Sequence, residues 1–196
     1  MLELELKARV DDPDAVRAAL QAHGATCRFA GRLRDRRYDR GGELAGRDHV
    51  LRVRQQTPLR GVMTEVVAWK GPTHTSAGYK ARLEQEALLA PGAQMGAIID
   101  ALGYAVTQVI DRHVEVWVLA GGEARLEWYP EMDVLLEVEG DANAIERLIG
   151  ATGLSREAFS TEPLPAFAEA YRTRTGRVAV LALTDQPPSH WPGVTP

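Results

Sequence analysis

Residues 2 to 9 alternate strictly: Leu2, Leu4, Leu6 and Ala8 fall on one face of an extended chain, and Glu3, Glu5, Lys7 and Arg9 on the other. That period of two predicts a strand. The period then becomes helical. Asp12 and Pro13 form a cap and first-turn pair, Val16, Ala19, Leu20 and His23 share one stripe, and Gly24 is placed to stop the helix. An arginine-rich strand is predicted over 26–40, then strands over 49–56, 62–70 and 80–89, the last two separated by a loop over 71–78. A second helix is predicted over 91–102, with Met95, Ile98, Ile99 and Leu102 inward and Gly103 as its stop. Strands follow at about 105–119, 123–128 and 133–139, the first two joined at Gly121-Gly122. Asp141 caps a third helix carrying Ile145, Leu148 and Ile149, and a fourth spans about 164–175 with Phe167 and Tyr171 buried.

A recurring unit emerges from this pass: Glu-x-Glu late in a strand, then a helix, then glycine. It occurs at Glu3/Glu5 to Gly24, Glu84/Glu86 to Gly103 and Glu137/Glu139 to Gly153. Alternate charges recur on other strands too, at Arg52 and Arg54, at Arg82, and at Arg125 and Glu127. The opposite faces carry Leu51, Val53, Leu83, Leu126, Leu136 and Val138. A single such strand fits any sheet packed on one side and wet on the other. Taken together, however, the helices must bury their apolar stripes, and these strand faces are the surface available to them. The charged faces are then left to line the inside of a closed or nearly closed antiparallel barrel.

The expected class is therefore α+β, a β-barrel with a polar lumen and helices packed outside. Small barrels are normally filled by apolar side chains, so a lumen of mixed acids and bases needs an occupant to offset the desolvation of its charges. Glutamates without basic neighbours bind divalent cations through oxygen, while arginines and lysines bind the anionic groups those cations share.

Composition narrows the partners. A chain of 196 residues with 45% hydrophobic and 26% charged residues suits one globular domain, and no apolar run reaches the ~20 residues of a membrane helix. The expected domain covers 1–176, followed by a C-terminal extension, 177–196, whose four prolines predict an extended and partly disordered tail. Net charge of −4 argues against a nucleic-acid binder working by general basicity. A cytoplasmic location is expected, because no signal-peptide pattern opens the chain and the single cysteine, Cys27, cannot form an internal disulfide. Cys27 is read as a core or loop thiol, and the five histidines show no metal-ligand spacing. Arginines number twenty and lysines three, Lys7, Lys70 and Lys80, so a lysine here marks a position suited to a compact point charge. Both a monomer and a homodimer fit the sequence.

At these residues the chain resembles the CYTH, or triphosphate tunnel metalloenzyme, family, whose hallmark is Glu-x-Glu-x-Lys on the first strand. Glu3, Glu5 and Lys7 match it. So do Asp35 to Asp39, Leu51-Arg52-Val53-Arg54, Trp69-Lys70-Gly71-Pro72, Arg82 with Glu84 and Glu86, Arg112, and Glu137-Val138-Glu139, in order over residues 3 to about 174. The resemblance implies an eight-stranded antiparallel tunnel, Mg2+ or Mn2+ as cofactor, and Glu3, Glu5, Glu137 and Glu139 as metal ligands. Glu127 stands where the family usually has an aspartate, and is counted with the ligands. Ile110 stands where the family often has a lysine, so a phosphate contact is missing unless Arg125, Lys80, Arg172 or Arg174 supplies it.

The expected substrate is a small molecule containing a triphosphate. Lys7, Arg52, Arg54, Lys70, Lys80, Arg82, Arg112 and Arg125 are its expected contacts, with Lys7, Arg52 and Arg54 as catalytic charges that stabilise the leaving bridging oxygen. The competing reading is that some of these bases pair with Glu84, Glu86 or Glu127 only to balance the lumen. No protein nucleophile is required, because a metal can lower the pKa of an attacking water. Hydrolysis of inorganic, nucleoside or thiamine triphosphate is the leading expectation. Class IV adenylate cyclases of the family resemble one another in a His-Phe-x-x-Lys element upstream of the first strand; only two residues precede Glu3 here, which favours hydrolysis. A polyphosphate- or nucleotide-binding module without catalysis is the third reading.

Overall fold

In a computed structural model of the chain, residues 2–184 and 186–192 are described. Nine strands form one antiparallel sheet: β1 (Leu2–Val10), β2 (Thr26–Asp39), β3 (Val50–Pro58), β4 (Thr64–Lys70), β5 (His74–Ser76), β6 (Tyr79–Leu88), β7 (Ala105–Leu119), β8 (Gly122–Trp128) and β9 (Val134–Gly140). Eight of them close into a ring in the order β1-β9-β8-β7-β2-β3-β4-β6, and β6 pairs back onto β1 from Leu2↔Leu83 to Glu5↔Lys80. The barrel is thus shut, with no free edge at β1.

β5 is an element the sequence reading missed. It forms a hairpin with the start of β6 through Ala77-Gly78, both at positive φ (50° and 84°), the backbone that a two-residue hairpin turn demands. The other strands fall within two residues of expectation.

Four helices lie outside the ring: α1 (Pro13–Ala22), α2 (Met95–Ala101), α3 (Ala142–Thr152) and α4 (Leu164–Thr175). Asp12 caps α1 by accepting from the Ala15 amide at 3.0 Å, and Asp141 caps α3 by accepting from the Ala144 amide at 2.8 Å. α2 starts four residues later than expected, because Gly92 takes φ 79° and a turn occupies the stretch before it.

The main core lies between α1 and α3 and the outer faces of β1, β8 and β9. It joins Leu6, Ala8 and Val10 to Val16, Leu20, Leu126, Leu136, Val138, Ile145, Leu148 and Ile149. A smaller core sets Ile99 of α2 against Tyr38 and Val53. The apolar alternation therefore points outward, under the helices, and the charged alternation inward. Tyr171 of α4 is buried as expected.

The described part of the C-terminal extension runs back over the barrel. Val180 bridges to Glu131, the Asp111 amide donates to the Leu181 carbonyl at 2.7 Å, and Trp191 is buried in the main core at 3% exposure. Residue 185 and residues 193–196 of that extension lie outside the described residues. No helix among the described residues is long and apolar enough to cross a membrane.

Candidate active site

The lumen is built by register. Glu5 of β1 lies opposite Glu139 of β9 and Lys80 of β6, and Lys7 lies opposite Glu137. On the far wall, Asp35 of β2 lies opposite Arg54 and Arg37 opposite Arg52. Cross-strand neighbours on one face interact directly, so each register fixes a contact.

The sequence-predicted bases all reach this lumen. Lys7 contacts Glu5 at 3.3 Å and also Glu137; Lys80 reaches Glu5 at 2.5 Å; Lys70 stands 2.9 Å from both Glu3 and Glu84. Arg125 spans Glu123 and Glu139 at 3.1 and 2.7 Å. Arg52 reaches Glu86 and Glu84 at 3.1 and 3.3 Å, and Arg112 donates from Nε to Glu127 at 2.8 Å. Arg82 donates to the Gly71 and Asp48 carbonyls at 2.7 and 2.6 Å, bracing the tunnel mouth. Arg172 and Arg174, considered as substitutes for a base at position 110, are excluded: they pair with Glu169 and Asp133 on the exposed face of α4 and line no part of the tunnel.

Three carboxylates converge. Glu3, Glu5 and Glu139 each offer an oxygen within 4.8 Å of the others, a spacing and an all-oxygen donor set that fit a hard divalent cation such as Mg2+ or Mn2+. Glu137 is engaged by Lys7 and by Arg125 at 3.4 Å, while Glu127 is held between Arg112 and the Tyr129 hydroxyl, which donates to it at 2.5 Å. Both lie outside the converging set. Against the expectation from sequence, the three carboxylates that could hold a cation are not free of basic neighbours: Glu3, Glu5 and Glu139 touch Lys70, Lys80 and Arg125 respectively. Closed lumens must compensate buried charge internally.

The electrostatics are divided. Burial raises the Glu139 carboxyl to about 7, with Glu3 adding to the rise and Arg125 opposing it. Burial and a hydrogen bond shared with Glu3 lift Glu84 to about 8, whereas Glu3, despite its own burial, is held low by that same bond and by Lys70. The Glu3–Glu84 pair therefore keeps one proton at neutral pH. Across the lumen, burial alone would raise the Asp35 carboxyl, but Arg54, Arg112 and Arg52 outweigh it and hold it well below the usual range.

These side chains enclose a cavity of about 460 Å³ lined by nine cationic side chains and five carboxylates. Its apolar lining comes from Val50, Ile110, Pro163, Leu164 and Pro165. Toward the other end of the lumen the balance reverses, and Glu3, Glu84, Glu86, Glu123 and Glu139 line a second opening with Arg125 as its one base. A cavity with excess positive charge next to a carboxylate triad can hold a polyanion and a cation together.

Sequence reasoning gave no role to Arg37, Asp35 or Tyr129, although all three line the cavity. Alternation from Leu33 places Asp35 and Arg37 on one face, but arginines at 32, 34 and 36 occupy the other, so β2 shows no apolar face to read. Cys27 is exposed on β2 rather than in a core or loop.

No model of a known protein family matches the sequence, and no curated protein matches it either. Solved structures do. A candidate adenylate cyclase from Vibrio parahaemolyticus superposes with a TM-score of 0.71 at 18% identity, over 86% of this chain and 98% of that one. The PH1819 protein from Pyrococcus horikoshii gives 0.67 at 18% identity, over 89% and 99%. The candidate adenylyl cyclase HpAC1 from Hippeastrum gives 0.55 at 15% identity, over 90% and 96%. At such identities the likeness is one of fold: the chain shares the closed eight-stranded antiparallel barrel of these structures.

Proposed function

We propose that the tunnel hydrolyses a small triphosphate with the help of a divalent cation held by Glu3, Glu5 and Glu139. The observation that carries this reading is the pairing of two charge sets in one lumen: a carboxylate triad with oxygens within 4.8 Å, and a cavity where cations outnumber carboxylates nine to five. HpAC1 from Hippeastrum, which shares the fold, is described as having a dominant triphosphatase activity, and that supports hydrolysis over cyclisation.

A bound cation supplies charge neutralisation on phosphoryl oxygens and a lowered pKa for a coordinated water. The chain's own residues do the rest. Arg52, Arg54 and Arg112, gathered at Asp35, offer a rigid guanidinium wall for phosphoryl oxygens. Lys7, Lys70 and Lys80 place point charges on the side of the triad. Fixed donors of this kind stabilise charge as it moves to the bridging oxygen without reorganising.

Incubation with Mg2+ or Mn2+ and, separately, tripolyphosphate, ATP and thiamine triphosphate tests the reading. Phosphate release that is abolished in Glu5→Gln and Glu139→Gln is the expected result. Cyclic AMP with pyrophosphate would identify a cyclase, and tight binding without turnover a binding module; unaltered turnover in both variants would reject the metal site.

A further inference from the structure

Of the nine cationic side chains lining the tunnel cavity, eight have a carboxylate within 3.5 Å or less; Arg37, among the described residues, has none. Its one hydrogen bond runs from Nη1 to the side-chain oxygen of Gln108 at 3.1 Å, and its buried Nε has no partner. Its neighbour across the ladder is another guanidinium, that of Arg52. Burial and Arg52, with Arg112 adding to them and Asp35 opposing, lower its pKa to about 10, so the group is still a cation at neutral pH but a disfavoured one.

A half-buried charge that lacks an ion pair of its own and is only partly offset by a nearby carboxylate costs free energy in the empty fold, a cost relieved when an anion arrives. Position points the same way. β2 is four strands from β1 by either route around the eight-stranded ring, so Arg37 enters the cavity from the wall opposite Glu3 and Glu5. It also lines the adjoining cavity formed by Asp48, His49, Val50 and Gln108.

The geometry points to Arg37 as a substrate-binding residue that grips a phosphoryl group on the side of the lumen opposite the carboxylate triad. The inference rests on the reading of the tunnel as a triphosphate site, and it sharpens the ligand: a linear polyanion long enough to be shared between a triad-held cation and the Arg37 guanidinium, whose Nη2 is not engaged by Gln108.

The test compares wild type, Arg37→Gln and Arg37→Lys by calorimetric binding of inorganic tripolyphosphate in EDTA, by KM for tripolyphosphate with Mg2+, and by melting temperature with and without tripolyphosphate. Arg37→Gln is expected to weaken binding and raise KM about tenfold, as loss of a charge-assisted hydrogen bond does. It should also melt no lower than wild type without the ligand, since an unpaired cation has been removed, while losing most of the ligand-induced rise. Arg37→Lys should recover part of the affinity. Wild-type affinity and KM in Arg37→Gln would overturn the assignment while leaving the tunnel reading intact. Failure of wild type itself to bind or hydrolyse tripolyphosphate, ATP or thiamine triphosphate would remove the tunnel reading, and Arg37's role with it.

Discussion

Asp35 and Arg54 meet in a two-pronged ion pair across β2 and β3, Nε to Oδ1 at 2.7 Å and Nη2 to Oδ2 at 3.0 Å, with both side chains buried. Arg112 and Arg52 reach the same carboxylate at 3.1 and 3.6 Å. One acid thus organises three guanidiniums, which keeps the wall rigid while leaving it positive.

Replacing Asp35 with asparagine should therefore be costly. Three buried cations would face one another, and breaking a buried pair by removing one partner typically costs about 3–5 kcal/mol. Urea unfolding of Asp35→Asn should show a loss of this order, partly restored by added tripolyphosphate. A loss under about 1 kcal/mol would mean that water, rather than Asp35, screens the arginines.

The placement of Glu127 separates two metal assignments. Because Arg112 and Tyr129 already hold it, Glu127→Gln should change Mn2+ affinity, followed by electron paramagnetic resonance, less than threefold, whereas Glu139→Gln should lower it tenfold or more. Equal losses in the two variants would replace the Glu3, Glu5 and Glu139 triad with a set that includes the β8 carboxylate.

The C-terminal segment is proposed to be part of the barrel's stability. Trp191 is 3% exposed and its indole donates to the Tyr129 carbonyl at 3.1 Å, beside His190, which contacts the same oxygen at 3.0 Å. Trp191→Ala should cost about 3–5 kcal/mol by loss of packing. Because Tyr129 also bonds Glu127 in the lumen, the variant should weaken polyphosphate binding as well; a melting temperature within a degree of wild type would show the segment to be dispensable.

What the sequence made legible follows from range. Alternation in β1 is local, and it correctly placed Glu3, Glu5 and Lys7 inside and Leu4 and Leu6 outside; the Asp12 and Asp141 caps are local as well. Alternation says which face a side chain takes, but not its height along the barrel, which depends on the stagger between strands. Alternation alone therefore sets Glu137 and Glu127 beside the other lumen glutamates, whereas the fold pairs Glu137 with Lys7 by register and Glu127 with Arg112 diagonally across β7 and β8. Arg37 was hidden for a different reason. It is the one arginine of β2 on the cavity-lining face, and what marks it there is the lack, among the described residues, of an ion pair, which depends on distant strands.

His113 provides a stability test that is independent of substrate. Its ring is buried at 3% exposure, packed edge-on to Trp128 at 5.5 Å and near Trp191 at 6.5 Å, and Nε2 has no partner. Burial, only partly offset by Glu115 and reinforced by Arg17, lowers its pKa from 6.5 to about 4. Between those values the unfolded chain binds a proton at this ring that the folded chain does not, so the ring's contribution to stability falls as pH drops from about 6.5 toward 4. Between pH 7 and pH 5 the loss should be on the order of 2 kcal/mol. Glu84 and Glu139 act with the opposite sign, because their raised carboxyls take up protons in the fold before they do in the unfolded chain. Their contribution is common to wild type and His113→Phe, so it cancels in the difference. The change in unfolding free energy from pH 7 to pH 5 should therefore be more favourable in His113→Phe than in wild type, by on the order of 2 kcal/mol, and equal changes in the two proteins would show that the imidazole does not titrate across this range.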